Sequence, residues 1–198
     1  MLIKYIKRDG IFSSLRIIYC LIKTKLFYPK SRLIRFPVYI RGAKNINLGR
    51  SLTTGYGLRA DAFGHSKEQI VFGDRIEIGD YVHIAAIEKI VIGDDCLIAS
   101  KVYISDHDHG IYGGGDDHSD AFELQKNKKL KSMAVIIGKN VWIGENVMIL
   151  KGVTIGDNSI IGASSVVNRS IPANVIVAGS PARVVKAYDS VEKKWIKV

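Results

Sequence analysis

Several features are scarce in this chain, and each scarcity excludes a class of protein. The sequence has only two cysteines among 198 residues, Cys20 and Cys96. Two cysteines are too few for a disulfide framework and indicate a reduced, cytoplasmic setting. No stretch of about 18 to 20 apolar residues runs without a charge, so we expect no helix that spans a bilayer. A small-residue cleavage site of the usual layout is also missing, so we expect no signal peptide.

Acidic side chains are almost absent from the first part of the chain. Residues 1–45 contain eleven Lys or Arg and a single Asp, whereas residues 46–198 contain 18 residues of each sign, so the whole net charge of +10 lies in this N-terminal arm. Within it, residues 11–28 are apolar enough to predict a helix. Three interpretations are open: a cap that covers a strand edge, attraction to an anionic membrane surface, or nucleic-acid binding. The last is disfavoured because no reading motif accompanies the charge.

What the chain has in abundance is a six-residue repeat of apolar side chains. The repeat occupies positions 137, 143, 149, 155, 161 and 167, and the same period runs through 72, 78 and 84 and through 92, 98 and 104. A period of six fits neither a helix nor a simple strand and is typical of a parallel β-solenoid. Ordinary strands of an open sheet are the alternative, but their loops would have almost no residues.

Three repeats would close a triangular coil, which places residue i beside residue i+18 in a parallel ladder. Each repeat predicts a short strand and a corner, because Gly tolerates turn dihedrals and Asp or Asn bonds its own backbone. A weaker first coil at Leu48, Thr54 and Ala60 brings the total to about five coils. The stacked pairs predicted in this way are Ile137 with Ile155, Ile143 with Ile161, and Ile149 with Val167.

A second regular position lies four residues after the first and holds small or β-branched side chains, which suit a half-buried strand. Cys96 occupies one of these positions. A buried structural cysteine is therefore favoured over a catalytic thiol there.

The repeat stops after Ile104 and resumes only at Ile137, which leaves about 27 inserted residues. Three of the five histidines lie in this insertion, and a polar loop that leaves a rigid scaffold is where function usually lies. His107 follows the last strand before the insertion. Its imidazole can take a proton from a hydroxyl and return it to a leaving thiolate. We predict His107 as the general base, with His109 as the second candidate and a solvated loop histidine as the competing interpretation.

Hexads of the form [Ile/Leu/Val]-Gly-x-x-[small/Val]-x resemble those of the hexapeptide-repeat acyltransferases, which include the galactoside and maltose acetyltransferases. The resemblance implies an all-β, left-handed parallel β-helix that works as a homotrimer with active sites between subunits. It places the catalytic base at His107 and makes His83 a candidate acceptor contact. Asp106, His109 and Asp61 complete the predicted acceptor-binding residues, although Asp61 with Arg59 also fits an ordinary corner salt bridge.

The segment from Asn140 to Lys186 matches that family without a gap. The resemblance implies that Trp142 packs near the acetyl and pantetheine arm of acetyl-CoA, and that Arg183 and Lys186 face the nucleotide phosphates. A solvated basic tail is the competing interpretation of that pair. The other donor contacts implied by the match are Glu145, which replaces a residue that is often small in galactoside enzymes, Ala163, Asn168 and Arg169.

A loop rich in Asp and His also suits a metal site. The γ-class carbonic anhydrases share the β-helix and bind zinc through three histidines. His107 and His109 do not show that ligand spacing, so we expect no metal ion.

Segments outside the hexads resemble the bacterial O-antigen O-acetyltransferases of lipopolysaccharide biosynthesis. These segments are residues 35–41, 57–63, 80–86 and 98–107. The resemblance implies acetyl transfer from acetyl-CoA to a sugar hydroxyl of a cell-surface polysaccharide. The alternatives are another small hydroxyl acceptor, such as a galactoside, serine or an antibiotic, or a non-catalytic glycan-binding scaffold.

The expected organisation has three parts, all of them cytoplasmic. Residues 1–45 form a helical basic arm, and the membrane alternative would place it at the inner membrane face. Residues 46–171 form the β-helix, with an inserted loop at 106–133. Residues 172–198 form a C-terminal cap and tail.

Overall fold

The strands of this protein stack into a parallel β-helix with three sheets. The structure is a computed structural model that describes residues 2–64, 66–113 and 118–198, so His65 and residues 114–117 of the predicted insertion lie outside the described residues. The chain passes through sheet 1, sheet 2 and sheet 3 in turn and then starts the next coil. This topology confirms the parallel β-helix that the six-residue period predicts.

Sheet 1 contains β1 (Tyr39–Arg41), β4 (Arg59–Ala62), β7 (His83–Ala86), β10 (Tyr103–Ser105), β15 (Met148–Ile149) and β18 (Val166–Val167). Sheet 2 contains β2 (Ile46–Asn47), β5 (Ile70–Phe72), β8 (Ile90–Ile92), β13 (Val135–Ile137) and β16 (Thr154–Ile155). Sheet 3 contains β3 (Thr53–Thr54), β6 (Glu77–Ile78), β9 (Leu97–Ile98), β14 (Trp142–Ile143), β17 (Ile160–Ile161) and β19 (Val175–Ala178), followed by the antiparallel β20 (Arg183–Asp189) and β21 (Lys194–Lys197). A separate hairpin pairs β11 (His107–His109) with β12 (Leu130–Ser132), and 3-10 turns occupy Ala43–Asn45 and Gln125–Asn127.

The stacking register confirms the predicted pairs. Ile137 lies opposite Ile155, Ile143 opposite Ile161, and Ile149 opposite Val167. The coil number is larger than the predicted five, because sheet 1 has six strands. The additional coil lies at the N-terminus, where β1 pairs with β4 and Leu33 bridges to Thr53, so the β-helix begins before residue 46. At the other end, β19 still pairs in parallel with β17, so it continues past residue 171.

The number of residues in each coil varies along sheet 1. Successive partners of its central position are Ile40, Ala60, Ile84, Ile104, Ile149 and Val167, so the coils take 20, 24, 20, 45 and 18 residues. Only the last has the ideal length, and the coil of 45 contains the insertion. The extra residues of the other coils lie in corners, where the repeat is interrupted.

The inward positions of the repeat form one continuous apolar core. Ile84, Ile104, Ile143 and Ile149 are fully buried, and each such side chain contributes about 1.5–3 kcal/mol to stability. At the corner before sheet 3, Asn140 donates to Asn158 over 2.9 Å, and Asn158 donates to Asn174 over 3.0 Å. All three have positive φ, which Asn tolerates better than most residues, so the same side chain forms the corner and links the coils.

The N-terminal helix α1 (Leu2–Phe27) is interrupted at Gly10, whose φ of 79° is not helical. Its second part agrees with the helix predicted at 11–28. Thr24 is fully buried; its Oγ1 accepts the N–H of Ile34 over 2.8 Å and lies 3.3 Å from the Ile34 carbonyl oxygen. The Phe36 N–H reaches Cys20 Sγ over 3.4 Å. The helix thus satisfies the free backbone groups beside Leu33 in the first coil, which supports the capping interpretation.

One prediction concerned membrane-spanning segments. Among the described residues, no helix is both long enough and apolar enough to cross a bilayer.

Candidate active site

The insertion leaves sheet 1 as an antiparallel ribbon. β10 ends at Ser105, and β11 pairs with β12 so that His107 lies opposite Ser132 and His109 opposite Leu130. Met133 donates its N–H to the Asp106 carbonyl over 2.8 Å and closes the base of the ribbon. The first residues of the insertion are therefore held by the scaffold rather than by the loop.

Asp106 is a fully buried carboxylate that organises this position. Its oxygens accept the backbone N–H groups of Ile87, Glu88 and Lys89 over 2.7–3.1 Å. These donors lie in the corner between β7 and β8, which is two residues longer than an ideal corner, because Ile84 and Ile92 are eight positions apart. Consecutive N–H groups that converge in this way form an anion-binding nest.

His107 is oriented by the same carboxylate. Its Nδ1 lies 2.9 Å from Asp106 Oδ1. Because that oxygen also receives a backbone N–H, it acts as an acceptor, so Nδ1 carries the proton and Nε2 keeps a lone pair. Ser105 Oγ receives the His107 N–H over 3.3 Å and donates to the His107 carbonyl over 3.0 Å. An imidazole held by a carboxylate with its other nitrogen unused has the geometry of a general base.

The other polar side chains of the ribbon have different environments. His109 is exposed, and its carbonyl accepts the Tyr112 hydroxyl over 2.7 Å. Asp108 forms an ion pair with Lys151 of the next coil. No carboxylate of the described residues hydrogen-bonds to the His109 ring. The geometry therefore favours His107 over His109 as the base, and it favours a positioning role for Asp106, whose oxygens are occupied by protein donors.

A second polar cluster lies on the outer side of sheet 1. Asp61 is fully buried, and its Oδ2 lies 2.6 Å from Arg59 Nε and 3.2 Å from His83 Nε2. Its Oδ1 has no hydrogen-bond partner, although Arg41 Nε lies 3.3 Å away in poor geometry. The sequence alternative of an ordinary corner salt bridge is therefore incomplete, because one buried acceptor is unsatisfied.

His83 is a neutral member of this cluster. Burial lowers the pKa of His83 below its ordinary value, against the hydrogen bond to Asp61 that raises it. The positive charge of Arg59 lowers the pKa further. The ring also packs at 5.4 Å from that of Tyr103 in the next coil. Since β7 and β10 are neighbours in sheet 1, the cluster shares this sheet with the residues that lead to His107.

Most of the predicted donor residues gather on sheet 3 and at one of its edges. Trp142 is half exposed and starts an outward column in which Ile160, Ile176 and Lys186 follow in register. Glu145 and Ala163 come two residues after β14 and β17, so they stack at the edge that leads to sheet 1. Arg183 pairs with Ala178 at that edge. A shallow groove of about 380 Å³ on sheet 3 is lined by Asn140, Trp142, Asn158, Ile160, Asn174, Tyr188 and Trp195.

Asn168 and Arg169 lie elsewhere, together with His107. They follow β18 directly, as Asp106 follows β10, and both strands belong to sheet 1 with β15 between them. The two positions are therefore two coils apart, about 10 Å along one edge. The chain thus carries two half-sites, one with His107 and Asn168 and one with Trp142 and Arg183, at opposite edges of sheet 1.

The thiols and the metal question are separate from these half-sites. Burial raises the pKa of the Cys96 thiol to about 11, and its Sγ donates to the Gly138 carbonyl over 3.1 Å. This protonated, buried thiol supports the structural interpretation. Within the described ranges, no group of three or more His, Cys, Asp or Glu side chains converges as a metal site would require.

Comparison with known proteins agrees with this architecture. A family profile described as "Bacterial transferase hexapeptide (six repeats)" matches residues 134–169. The chain is 46% identical over 197 residues to the "Putative lipopolysaccharide biosynthesis O-acetyl transferase WbbJ" of Escherichia coli (strain K12), with full coverage of both chains. The chain belongs to the hexapeptide-repeat acetyltransferases.

Two further relatives of this acetyltransferase bear on the donor half-site. The galactoside O-acetyltransferase of Escherichia coli (strain K12) is 35% identical over 159 residues, which cover 80% of this chain and 62% of that protein. A solved galactoside acetyltransferase in complex with coenzyme A superposes with a TM-score of 0.53 at 35% identity, covering 74% of this chain and 72% of the other. An acetyltransferase from Vibrio cholerae O1 biovar eltor, complexed with acetyl-CoA, gives 0.55 at 25% identity, covering 78% and 71%.

Sequence reasoning missed part of the His107 environment. The donors at residues 87–89 act through their backbone, so no side-chain motif reveals them. Ser105 was not singled out either. The interruption of the repeat between Ile84 and Ile92 was the available signal, because extra corner residues release N–H groups from the regular ladder.

Proposed function

We propose that this acetyltransferase transfers an acetyl group from acetyl-CoA to a sugar hydroxyl of a bacterial cell-surface polysaccharide, with His107 as the general base. The observation that carries the proposal is the hydrogen bond between Nδ1 of His107 and the buried carboxylate of Asp106. It fixes the tautomer of the imidazole and leaves Nε2 as the proton acceptor. The two buried free cysteines fit action in the cytoplasm.

The proposed reaction is a direct transfer without an acyl-enzyme. Nε2 of His107 takes the hydroxyl proton as the sugar oxygen attacks the thioester carbonyl carbon. The carbon–sulfur bond then breaks, and the imidazolium returns the proton to the thiolate of CoA. A backbone N–H in the groove would stabilise the oxyanion. Asp106 stabilises the imidazolium that forms in between, because it places a negative charge against Nδ1.

The donor half-site suits a long substrate with an anionic end. Trp142 offers an apolar surface for the pantetheine arm, and the guanidinium of Arg183 and the ammonium of Lys186 suit phosphate groups. Glu145 and Ala163 lie along the same edge, where a thin, flexible arm can follow the coils. The relatives solved with coenzyme A and acetyl-CoA support this choice of donor.

A homotrimer with active sites between subunits follows from the two half-sites. Within one chain they lie at opposite edges of sheet 1, so they do not face each other. The interface of a cyclic trimer joins two different surfaces of the same chain. Such an interface would bring His107 of one subunit to Trp142 of the next, with Asn168 and Arg169 completing the donor groove.

The cluster around Asp61 is the proposed acceptor subsite. Its unsatisfied Oδ1 can accept a hydrogen bond from a sugar hydroxyl, which would remove the cost of a buried unpaired acceptor. The neutral His83 and the exposed His109 would contribute further polar contacts on the same side. The likeness to the lipopolysaccharide biosynthesis relative supports a surface glycan as the acceptor.

The direct test is the substitution His107→Ala. We expect kcat to fall about a hundredfold or more, because general-base catalysis contributes that much. The affinity for CoA, measured by titration calorimetry, should be unchanged. His109→Ala is the matched control and should retain most of the activity. Near-normal turnover by His107→Ala, or an equal loss in His109→Ala, would contradict the assignment.

Co-assembly of two inactive variants tests the shared site. His107→Ala and Trp142→Ala subunits, refolded together in equal amounts, should recover about a quarter of the wild-type activity, because one interface in four then has both intact half-sites. Each variant refolded alone is the control. A mixture that is no more active than the separate variants would show that the active site lies within one chain.

A further inference from the structure

The part of α1 that follows Gly10 carries an apolar stripe with no partner among the described residues. Phe12, Leu15, Ile22 and Leu26 are 88, 57, 65 and 71% exposed. With Ile11 and Tyr19, these side chains recur every three or four residues, so they lie on one face of the helix. Six large apolar side chains in a row on one face are more than the scattered exposure that protein surfaces normally show.

This stripe points away from the β-helix. The buried side chains of the same segment, Ser14, Cys20 and Thr24, lie against the first coil. At 100° per residue, these positions fall on the side of the helix opposite to Leu15 and Tyr19. The helix therefore uses one face to cover the edge of the first coil and presents the other face outward.

Cations border the stripe, and acids do not. Arg16 and Lys23 lie on one side, where they stack on Tyr56 at 3.9 Å and Phe36 at 4.4 Å, and the exposed Lys25 lies on the other side. None of these three cations takes part in an ion pair within the described part of the chain. Residues 10–45 contain no Asp or Glu.

We propose that this face of α1 docks the enzyme on an anionic phospholipid bilayer, with the helix in the plane of the interface. An apolar stripe bordered by Lys and Arg matches such a surface in both charge and polarity. A second copy of the helix fits less well, because two arms with net charge +10 would repel each other. The seventeen residues from Ile11 to Phe27 would extend about 25 Å along the membrane.

The docked orientation places the active site within reach of the interface. β10, which leads to His107, lies three strands above β1 in sheet 1, or about 15 Å. In the cyclic trimer proposed above, all three helices lie at the same end, because the symmetry axis does not invert the subunits. Three weak contacts then act together, and a glycan attached to a lipid could reach His107.

Vesicle co-sedimentation of the full chain tests the proposal. Wild-type protein should pellet with vesicles that contain phosphatidylglycerol but not with pure phosphatidylcholine, and high salt should release it. Phe12→Ser/Ile22→Ser should weaken binding at least about tenfold, because two inserting side chains are lost. Val191→Ser, which removes an exposed apolar side chain from the turn between β20 and β21, is the matched control and should bind like wild type.

Two further measurements separate docking from its alternatives. CoA affinity and the thermal midpoint of the double variant should match wild type, which shows that the loss is not a folding defect. Sedimentation velocity should show the same oligomer for both proteins. Failure of wild type to bind anionic vesicles would overturn the proposal. So would a smaller oligomer in the double variant with unchanged vesicle binding, because the stripe would then be covered by a second copy of the chain.

Discussion

The C-terminal coils of this protein are regular, and the coil before the insertion is not. Between Ile149 and Val167 a coil takes 18 residues, whereas between Ile84 and Ile104 it takes 20. The regular coils stack identical side chains and produce straight edges, along which Glu145 and Ala163 align. The longer coil releases backbone N–H groups from the ladder, and these bind Asp106. Regularity thus builds the edge proposed for the donor, and irregularity builds the environment of the proposed base.

Converting the irregular corner into a regular one is the strongest test of this comparison. Deletion of Glu88 and Lys89 would give the corner between β7 and β8 the ideal length and remove two of the N–H groups that bind Asp106. We expect the β-helix to persist by circular dichroism, while kcat falls about a hundredfold, because His107 loses its orientation. Lys89→Ala keeps the backbone donor and should retain activity. Full activity in the deletion variant would show that the extra residues have no catalytic role.

A smaller change at the same point is Asp106→Asn. The amide would place an NH₂ group against backbone donors or against Nδ1 of His107, so we expect kcat to fall about ten- to a hundredfold and the free energy of unfolding to fall by about 2 kcal/mol. Steady-state kinetics and guanidinium denaturation at one protein concentration measure the two effects. Asp108→Asn, at the partly exposed pair with Lys151, should cost less than about 1 kcal/mol. Equal effects at Asp106 and Asp108 would argue against a special role for the buried carboxylate.

The regular coils should respond in stability and not in catalysis. Ile155 is almost fully buried and contacts neither half-site, so Ile155→Val should lower the free energy of unfolding by about 1 kcal/mol and leave kcat unchanged. Denaturation and steady-state assays of the same preparation provide the comparison. A marked loss of kcat without a loss of stability would mean that the regular coils transmit strain to the site.

The period of the sequence was sufficient to predict the stacking of the C-terminal coils. Ile143 and Ile161 are 18 positions apart, and no gap intervenes, so counting alone places one on the other. Counting failed at the N-terminus, where the 24-residue coil from Ala60 to Ile84 hides the first coil. Extra corner residues carry no apolar signature, and the coil that begins with β1 was therefore assigned to the arm.

For the candidate site, the sequence identified the side chains better than their arrangement. His107 stands out because the repeat breaks beside it, and Trp142 and Arg183 lie in the ungapped segment. Asp106 was interpreted as an acceptor contact, because nothing in the sequence shows that its carboxylate faces residues 87–89. That pairing depends on two corners of adjacent coils, which are 17 or more residues apart in the chain.

The sequence by itself determined the β-helix, because a six-residue apolar period has one efficient way to bury its side chains. It also determined where the chain departs from that period. The tertiary structure alone decided what the departures do. Backbone N–H groups freed from the ladder converge on Asp106, the half-sites fall at opposite edges of sheet 1, and α1 presents Phe12 and Ile22 to the outside. Each of these depends on which coil lies beside which, and no local pattern of residues records that.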